Sequence, residues 1–283
     1  MAFIFNDQVY TDEHFSVHPG NRGLNYGDGV FETLRYSFGR INFWEDHYFR
    51  LMEGMRIMRM EIPMSFSPEF LEEKLKQCVE ANGLKEKAAR VKILVTRKNG
   101  GFYTPENNKI DYLITATPLN EASFQLNEQG LNIDLYKDFY KAKGLLSNIK
   151  TTSAQLYVVA SVYRQENGLD ECLLLNPDKE VCEAISSNLF LIDGDELLTP
   201  PLSTGCLKGI IRKKILAFAP KIGLTVREEA FSPFKLQKAE EVFLTNSIQG
   251  IRWVERYRKK TFVSTKTAKI LQRLNTEVAL NSN

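Results

Sequence analysis

No stretch of this sequence approaches the roughly 18 consecutive apolar residues that a membrane-spanning helix needs. The opening MAFIFNDQVYTDEHF carries no basic segment ahead of an apolar core. A soluble, cytoplasmic protein without a membrane partner is therefore expected. Charge of one sign is also lacking: 37 Lys and Arg face 35 Asp and Glu, a net charge of +2, which leaves no chain-wide footprint for nucleic acid. Cysteine is sparse. Cys78, Cys172, Cys182 and Cys206 are too scattered for zinc-ligand spacing or a disulfide framework, so they are expected reduced and no metal site is expected. Internal repeats and low-complexity tracts are missing too. What is present is 283 residues, 43% hydrophobic and 25% charged, enough for one large or two medium domains with an ample core.

The first half opens with FIFNDQVY as a strand, then GVFETLRYSFGRINFW, where FGR between two apolar runs marks a hairpin turn. EDHYFRLMEGMRIMRM has apolar residues at helical spacing, and SPEFLEEKLKQCVEANG has a Ser-Pro start, an acidic first turn and a terminal Asn-Gly. The strands RVKILVTR and DYLITATPL flank the glycine-containing loop KNGGFYTPENN. The polar stretch NEASFQLNEQG then separates the halves, so the expected division is a domain over 1–119, a linker over 120–125 and a second domain over 126–283. The second half reads as strands LNIDLYKDF, DECLLLN, CEAISSNLFLIDG, ELLTPP, TVREEAF and EVFLTNS, with helices before Asn167, in LKGIIRKKILAFAPKIG and in STKTAKILQRLNTEVAL, and a short one in SPFKLQKAE. This is an α+β chain with a mixed or barrel-like sheet.

One lysine is oddly placed. In LLSNIKTTSAQLYVVA, Lys150 precedes a helical pattern (Leu156, Val159, Ala160, Tyr163), with Ser147 and Asn148 as candidate caps. The spacing predicts that Lys150 sits near the first helical turn, where the macrodipole disfavours a cation. A free lysine is neutral only about once in two thousand molecules at neutral pH, so any such depression raises its nucleophilic fraction. Four further features suit an anion. Gly209 in LKGIIRKKI would open a helix and leave the N–H groups of Ile210 and Ile211 for an oxyanion. Thr245, Asn246 and Ser247 end a strand with three small hydrogen-bonding side chains, and Arg50 interrupts an apolar helical face, where a buried guanidinium needs an anionic partner. Glu183, in VCEAISSNLFLIDG, is either an exposed strand-edge acid or a carboxylate paired with a pyridinium nitrogen. With a nucleophilic lysine, these features describe a phosphate-bearing cofactor held beside an amine.

Six collinear motifs, RGLNYGDGVFETLR, HYFRL, SNIKTTSAQL, EAISSNLF, TPPLSTGCLKGIIR and EVFLTNSIQGIRWV, resemble the fold-type IV, or class IV, pyridoxal-phosphate aminotransferases. That family includes branched-chain aminotransferases, D-amino-acid aminotransferases and aminodeoxychorismate lyases. The resemblance implies a two-domain α+β fold: a small α/β N-terminal domain and a larger pseudo-barrel C-terminal domain, with pyridoxal 5'-phosphate in the cleft between them. It implies that Lys150 binds the cofactor covalently and later moves the substrate's α-proton, and that Glu183 contacts the ring nitrogen. Arg50, Ile210, Ile211 and Ser247 would hold the phosphate, with Asn246 nearby. It also implies a homodimer whose partner loops help close the pocket, acting on a small-molecule amino acid and a 2-oxo acid.

Subgroup signals are divided. The carboxylate trap of D-amino-acid aminotransferases falls on Phe31, Phe102 and Thr104 and is absent. The branched-chain pattern keeps NYG at Tyr26 and FE at Phe31 and Glu32, but its tyrosine-x-arginine strand motif reads AAR, retaining Arg90, and its ring-hydroxyl tyrosine matches Gln155. The lyase pattern keeps GDG and Thr33, while its loop arginine matches Phe102. Tyr26, Phe31 and Tyr103 would make an apolar, aromatic pocket or simply pack a core. Arg97 either meets a carboxylate or flanks the loop. Asp28 is expected in a turn, and GDGVFE lacks the third glycine of a dinucleotide loop. The expectation is an aminotransferase for a branched-chain or other hydrophobic amino acid, with aminodeoxychorismate lyase as the alternative. The basic run RWVERYRKK is broken by Glu255 and is expected as a solvated edge strand and turn, not a nucleic-acid module. A binding protein without catalysis is disfavoured by retention of Lys150 and Glu183.

Overall fold

The alternation in ARVKILVTR and IDYLITATP sends Val91, Ile93 and Val95 of one strand, and Tyr112, Ile114 and Ala116 of the next, to a single buried face. In the computed structural model, which describes residues 1–11 and 15–280, these runs are the centre of a six-stranded sheet. Its strands are β1 (Ala2–Phe5), β2 (Gln8–Thr11), β3 (Gly29–Ser37), β4 (Arg40–Ile41), β5 (Ala89–Arg97) and β6 (Ile110–Pro118), in the order β2-β1-β6-β5-β3-β4. FIFNDQVY, read above as one strand, is a hairpin, because Asn6 and Asp7 both take positive φ (45° and 72°) and turn the chain back.

Three helices belong to this unit: α1 (Arg22–Tyr26), α2 (Trp44–Ile57) and α3 (Pro68–Ala81). Helix α3 starts as its sequence requires, with the Ser67 hydroxyl accepting from the Phe70 N–H and Pro68 in the first turn. Leu51 and Met55 of α2 and Leu71 and Leu75 of α3 bury against the Ile4, Leu34, Val91 and Ile93 face of the sheet.

The second unit contains α4 (Leu145–Asn148), α5 (Gln155–Glu166), α6 (Ile210–Phe218) and α7 (Thr265–Leu280). Its strands are β7 (Leu131–Leu135), β8 (Glu171–Leu175), β9 (Val181–Ala184), β10 (Asn188–Asp193), β11 (Glu196–Thr199), β12 (Thr225–Glu228), β13 (Glu241–Asn246), β14 (Gly250–Tyr257) and β15 (Lys260–Thr261). They form one sheet in the order β12-β11-β10-β13-β14-β7-β8-β9, with β15 paired to β14, and the sheet curls as a half-barrel. The run RWVERYRKK is not at an edge. Strand β14 lies between β13 and β7, and Arg256 and Arg258 donate to Asn132 (3.1 Å) and Asp134 (3.0 Å).

The chain divides into two compact units after Ser123. However, Ile149–Ala154 packs with the first unit, not with the half that surrounds it in sequence. No helix among the described residues is long and apolar enough to cross a membrane, and no group of three or more His, Cys, Asp or Glu among them could hold a metal ion.

Candidate active site

The Lys150 segment is extended, and that corrects the helical expectation. Helix α5 begins only at Gln155, because residues 150–152 spend their backbone groups on β3. The Phe31 N–H donates to the Lys150 carbonyl (2.9 Å), the Thr152 N–H donates to the Gly29 carbonyl (2.9 Å), and Val30 bridges Thr151. Lys150 therefore lies outside helix α5, five positions before its first residue. Its Nζ instead lies 4.4 Å from the centre of the Phe31 ring, a cation–π distance. Gly29 is required for the approach, since a β-carbon there would stand 2.9 Å from the Val95 carbonyl and 3.1 Å from the Thr152 hydroxyl.

Alternation along β3 puts the next residue on the opposite, helix-covered face. Glu32 receives Arg50 of α2 as a fork, Nε on Oε1 and Nη2 on Oε2, both at 2.6 Å, and His47 Nδ1 meets Oε2 at 2.7 Å. All three side chains are buried. Burial alone would raise the Glu32 carboxyl; Arg50 and then His47 overcome it and hold it at about 2. Burial pushes His47 below its ordinary value, against the pull of Glu32. An ionised carboxylate only accepts, so the neutral imidazole donates from Nδ1. The anionic partner that Arg50 needs is thus supplied within the first unit.

The remaining first-unit candidates separate into two groups. Phe31, Thr33 and Arg90 share the sheet face that carries Lys150. Arg97 does not join them: its Nε and that of Arg22 both donate to Asp28 Oδ2 (2.9 and 2.8 Å), while its other nitrogens reach Asn108 and the Met58 carbonyl. The carboxylate Arg97 meets is therefore Asp28, which is a buried bridge more than a turn residue. Tyr26 and Tyr103 do approach each other, with ring centres 5.7 Å apart, but Tyr103 is 91% exposed, so neither half of that pair is core.

In the second unit, Glu183 is buried inside β9, not an exposed edge acid. Its Oε1 accepts from Lys141 Nζ and from the Tyr157 hydroxyl (2.9 Å), and its Oε2 accepts from the Leu207 N–H (2.6 Å). Burial would lower Lys141, but Glu183 and then Tyr157 raise it above the ordinary lysine range. Burial, followed by Glu183, raises Tyr157. Lys141 is therefore an ammonium at neutral pH.

Gly209 caps α6, so the N–H groups of Ile210 and Ile211 have no intrahelical acceptor. Asn188 lies against Gly209 and faces Thr245 across the β10–β13 ladder. The Thr245 hydroxyl oxygen is buried and has no hydrogen-bond partner among the described residues. Asn246 holds the β13–β14 turn by accepting from the Ile248 and Gln249 N–H groups (3.0 and 2.8 Å), and half-buried Ser247 lies inside that turn. An unsatisfied buried hydroxyl beside a helix start is a donor set with no acceptor, and it suits a phosphate.

The family model for "Amino-transferase class IV" matches residues 29–257. The chain belongs to the class IV aminotransferases. Among relatives, the aminodeoxychorismate lyase of Bacillus subtilis (strain 168) is 29% identical over 254 residues, 88% of this chain and 84% of that protein. The branched-chain-amino-acid aminotransferase of Escherichia coli (strain K12) is 28% identical over 255 residues, 87% and 82%. The branched-chain amino acid aminotransferase from Thermobaculum terrenum, solved in its PLP (holo) form, superposes with a TM-score of 0.84 at 22% identity, covering 100% of this chain and 94% of that one. The fold is accordingly that of the family, α+β fold type IV.

For this class IV chain, the residues that sequence reasoning missed are Glu183's partners. Lys141 lies 42 positions and Tyr157 lies 26 positions away from it, and nothing local to VCEA announces them. The sequence asked for an anion at Arg50 without pointing to Glu32 or His47 as the groups that meet there.

Proposed function

We propose that the protein is a pyridoxal-phosphate-dependent aminotransferase that moves an amino group from an amino acid, branched-chain or otherwise hydrophobic, to a 2-oxo acid. The observation that carries this reading is the donor set at Gly209, Ile210, Ile211 and the unpartnered Thr245 hydroxyl, which needs an anion such as a phosphate to be satisfied. When bound, pyridoxal phosphate supplies an aldehyde for amines and a pyridine ring that accepts the electron pair of a broken bond at the substrate's α-carbon. Lys150 provides the amine that attaches the cofactor and serves as base for the α-proton. Glu183, which meets Lys141, holds a proton on the ring nitrogen. Ile210, Ile211 and Ser247 bind the phosphate, Asn246 shapes the turn beside it, and Tyr26, Phe31, Thr33 and Tyr103 contact the substrate.

A second reading, aminodeoxychorismate lyase, is favoured by the 29% identity to the Bacillus subtilis enzyme and by Thr33 on the Lys150 face. A homodimer in the cytoplasm fits both readings. Val158, Val159 and Val162 leave the outer side of α5 apolar and exposed, as do Leu145 and Leu146 of α4, and a second copy would cover them.

The test is borohydride reduction of cofactor-saturated protein followed by peptide mapping, with the pyridoxyl group expected on the 145–160 peptide. Activity assays then separate the readings. Glutamate formation from branched-chain amino acids and 2-oxoglutarate supports the transaminase; pyruvate and 4-aminobenzoate release from aminodeoxychorismate, without it, supports the lyase.

A further inference from the structure

Asp28 is met by two guanidiniums on one oxygen, and all three side chains are buried. One carboxylate balances only one of the two cations, so the rest of their hydrogen-bonding capacity falls to backbone and amide dipoles. Arg22 finds these dipoles in the loop that joins β5 to β6. Its Nη1 donates to the carbonyls of Gly100 (3.1 Å) and Phe102 (2.6 Å), with that of Gly101 at 3.4 Å. Arg97 ties down the far end of the same loop by donating to the Asn108 side chain (2.5 Å). The Arg22 guanidinium also lies 4.9 Å from the centre of the Tyr26 ring, a cation–π distance, and that ring meets Tyr103 at the loop tip. Arg22 is 3% exposed, whereas Phe102 and Tyr103 are 83% and 91% exposed, so a buried ion pair fixes a loop tip that packing does not. The same stretch runs past the segment of the reacting lysine, since a β-carbon on Gly27 would lie 3.4 Å from the Ser153 backbone.

We infer that Arg22, anchored by Asp28, is a positioning residue for substrate selection: it holds the Tyr26 ring and the backbone of residues 100–102 together, so that Tyr26 and Tyr103 form one wall against the substrate's side chain. This rests on the reading of Tyr26 and Tyr103 as substrate contacts and of Lys150 as the reacting amine. A wall of two aromatic rings favours an apolar side chain in proportion to the area covered, and so favours a methyl group little. Selection is therefore between large and small side chains, and it acts on binding and not on proton transfer at Lys150. Lysine cannot replace Arg22, because one ammonium can meet Asp28 but lacks the fork that reaches the loop carbonyls at the same time.

The test compares wild-type holoenzyme with Arg22→Met and Arg22→Lys. Arg22→Met is expected to fold, because Asp28 keeps Arg97 as its counter-charge. Limited chymotrypsin digestion reads the loop itself through cleavage after Phe102 or Tyr103. The wild-type loop is expected to resist, and both variants are cut there about tenfold faster, with cleavage elsewhere unchanged. Steady-state kinetics with leucine and with alanine as amino donors read the selection. Both variants raise KM for leucine about tenfold, while KM for alanine and kcat for either donor stay within about twofold of wild type. An arginine with a merely structural role would lower kcat for both donors alike and be rescued by the charge of Arg22→Lys. Cleavage after Phe102 or Tyr103 no faster in Arg22→Met than in wild type, a leucine KM that does not rise, or an equal loss for leucine and alanine overturns the inference. Failure of the functional reading appears elsewhere, as wild-type protein with no pyridoxyl group on Lys150.

Discussion

Asn188 Oδ1 lies 1.9 Å from the point that a β-carbon on Gly209 would occupy. Glycine is therefore fixed at the start of α6 by a side chain that donates its own amide to the Leu207 carbonyl (2.9 Å) and cannot easily retreat. Gly209→Ala forces Asn188 or the first turn of α6 to move, an overpacking cost of about 1–3 kcal/mol. The expected result is a melting temperature lower by several degrees and a cofactor dissociation constant raised at least tenfold, read by absorbance titration. Unchanged values for both would show that α6 does not face the cofactor phosphate.

The Glu32, His47 and Arg50 cluster predicts a pH dependence. The Glu32 carboxyl falls from 4.5 to about 2 in the folded protein. The unfolded chain therefore binds more protons between those values, and the stabilisation, present in full above about 4.5, is lost as pH falls toward 2. Its size is about 3 kcal/mol, at about 1.4 kcal/mol per unit. His47 acts in the same direction from higher pH: its lowered value means that the folded state refuses a proton that the unfolded state accepts below about 6.5. Urea denaturation between pH 7 and 3 should show stability declining in two stages. Glu32→Gln, which leaves Arg50 buried without a counter-charge, should cost about 3–5 kcal/mol at pH 7 and remove the lower stage.

Local signals were the legible part of this chain. The Ser67-Pro68 start of α3, the Gly39 turn between β3 and β4, and the alternation of β5 and β6 all follow from neighbours within a few residues. Pairings between distant segments were not legible. Ser147 and Asn148 look like helix caps, yet the Asn148 amide donates to the Leu202 and Cys206 carbonyls, and the next six residues join a strand more than a hundred positions earlier. RWVERYRKK looks like a solvated edge because its neighbour β7 lies so far back in the chain. Glu183 illustrates the same limit, since its burial depends on a lysine 42 residues away.

Lys141 should behave as an electrostatic positioning residue. Lys141→Met leaves the Glu183 carboxylate buried with only Tyr157 and the Leu207 N–H, at an expected cost of about 3–5 kcal/mol. The raised lysine contributes stability that is fully present below about 10.5 and is lost only as pH climbs above that value. Thermal denaturation of wild type at pH 7 and 11 should therefore differ more than that of Lys141→Met. An equal alkaline drop in both proteins would assign the loss to other groups.

Thr245→Val separates a ligand role from a structural one. Valine copies the shape of threonine without its hydroxyl. In the cofactor-free protein the substitution removes a buried oxygen that has no partner, so the variant is expected to be as stable as wild type or more stable, by about 1 kcal/mol. With cofactor bound the sign reverses. A hydroxyl donating to a charged phosphate is worth about 1.5–3 kcal/mol, so the variant should bind pyridoxal phosphate about ten- to a hundredfold more weakly. Melting curves of the cofactor-free form and absorbance titrations of cofactor uptake measure the two effects independently. A hydroxyl with a purely structural role moves them the other way, destabilising the empty protein and leaving cofactor affinity intact.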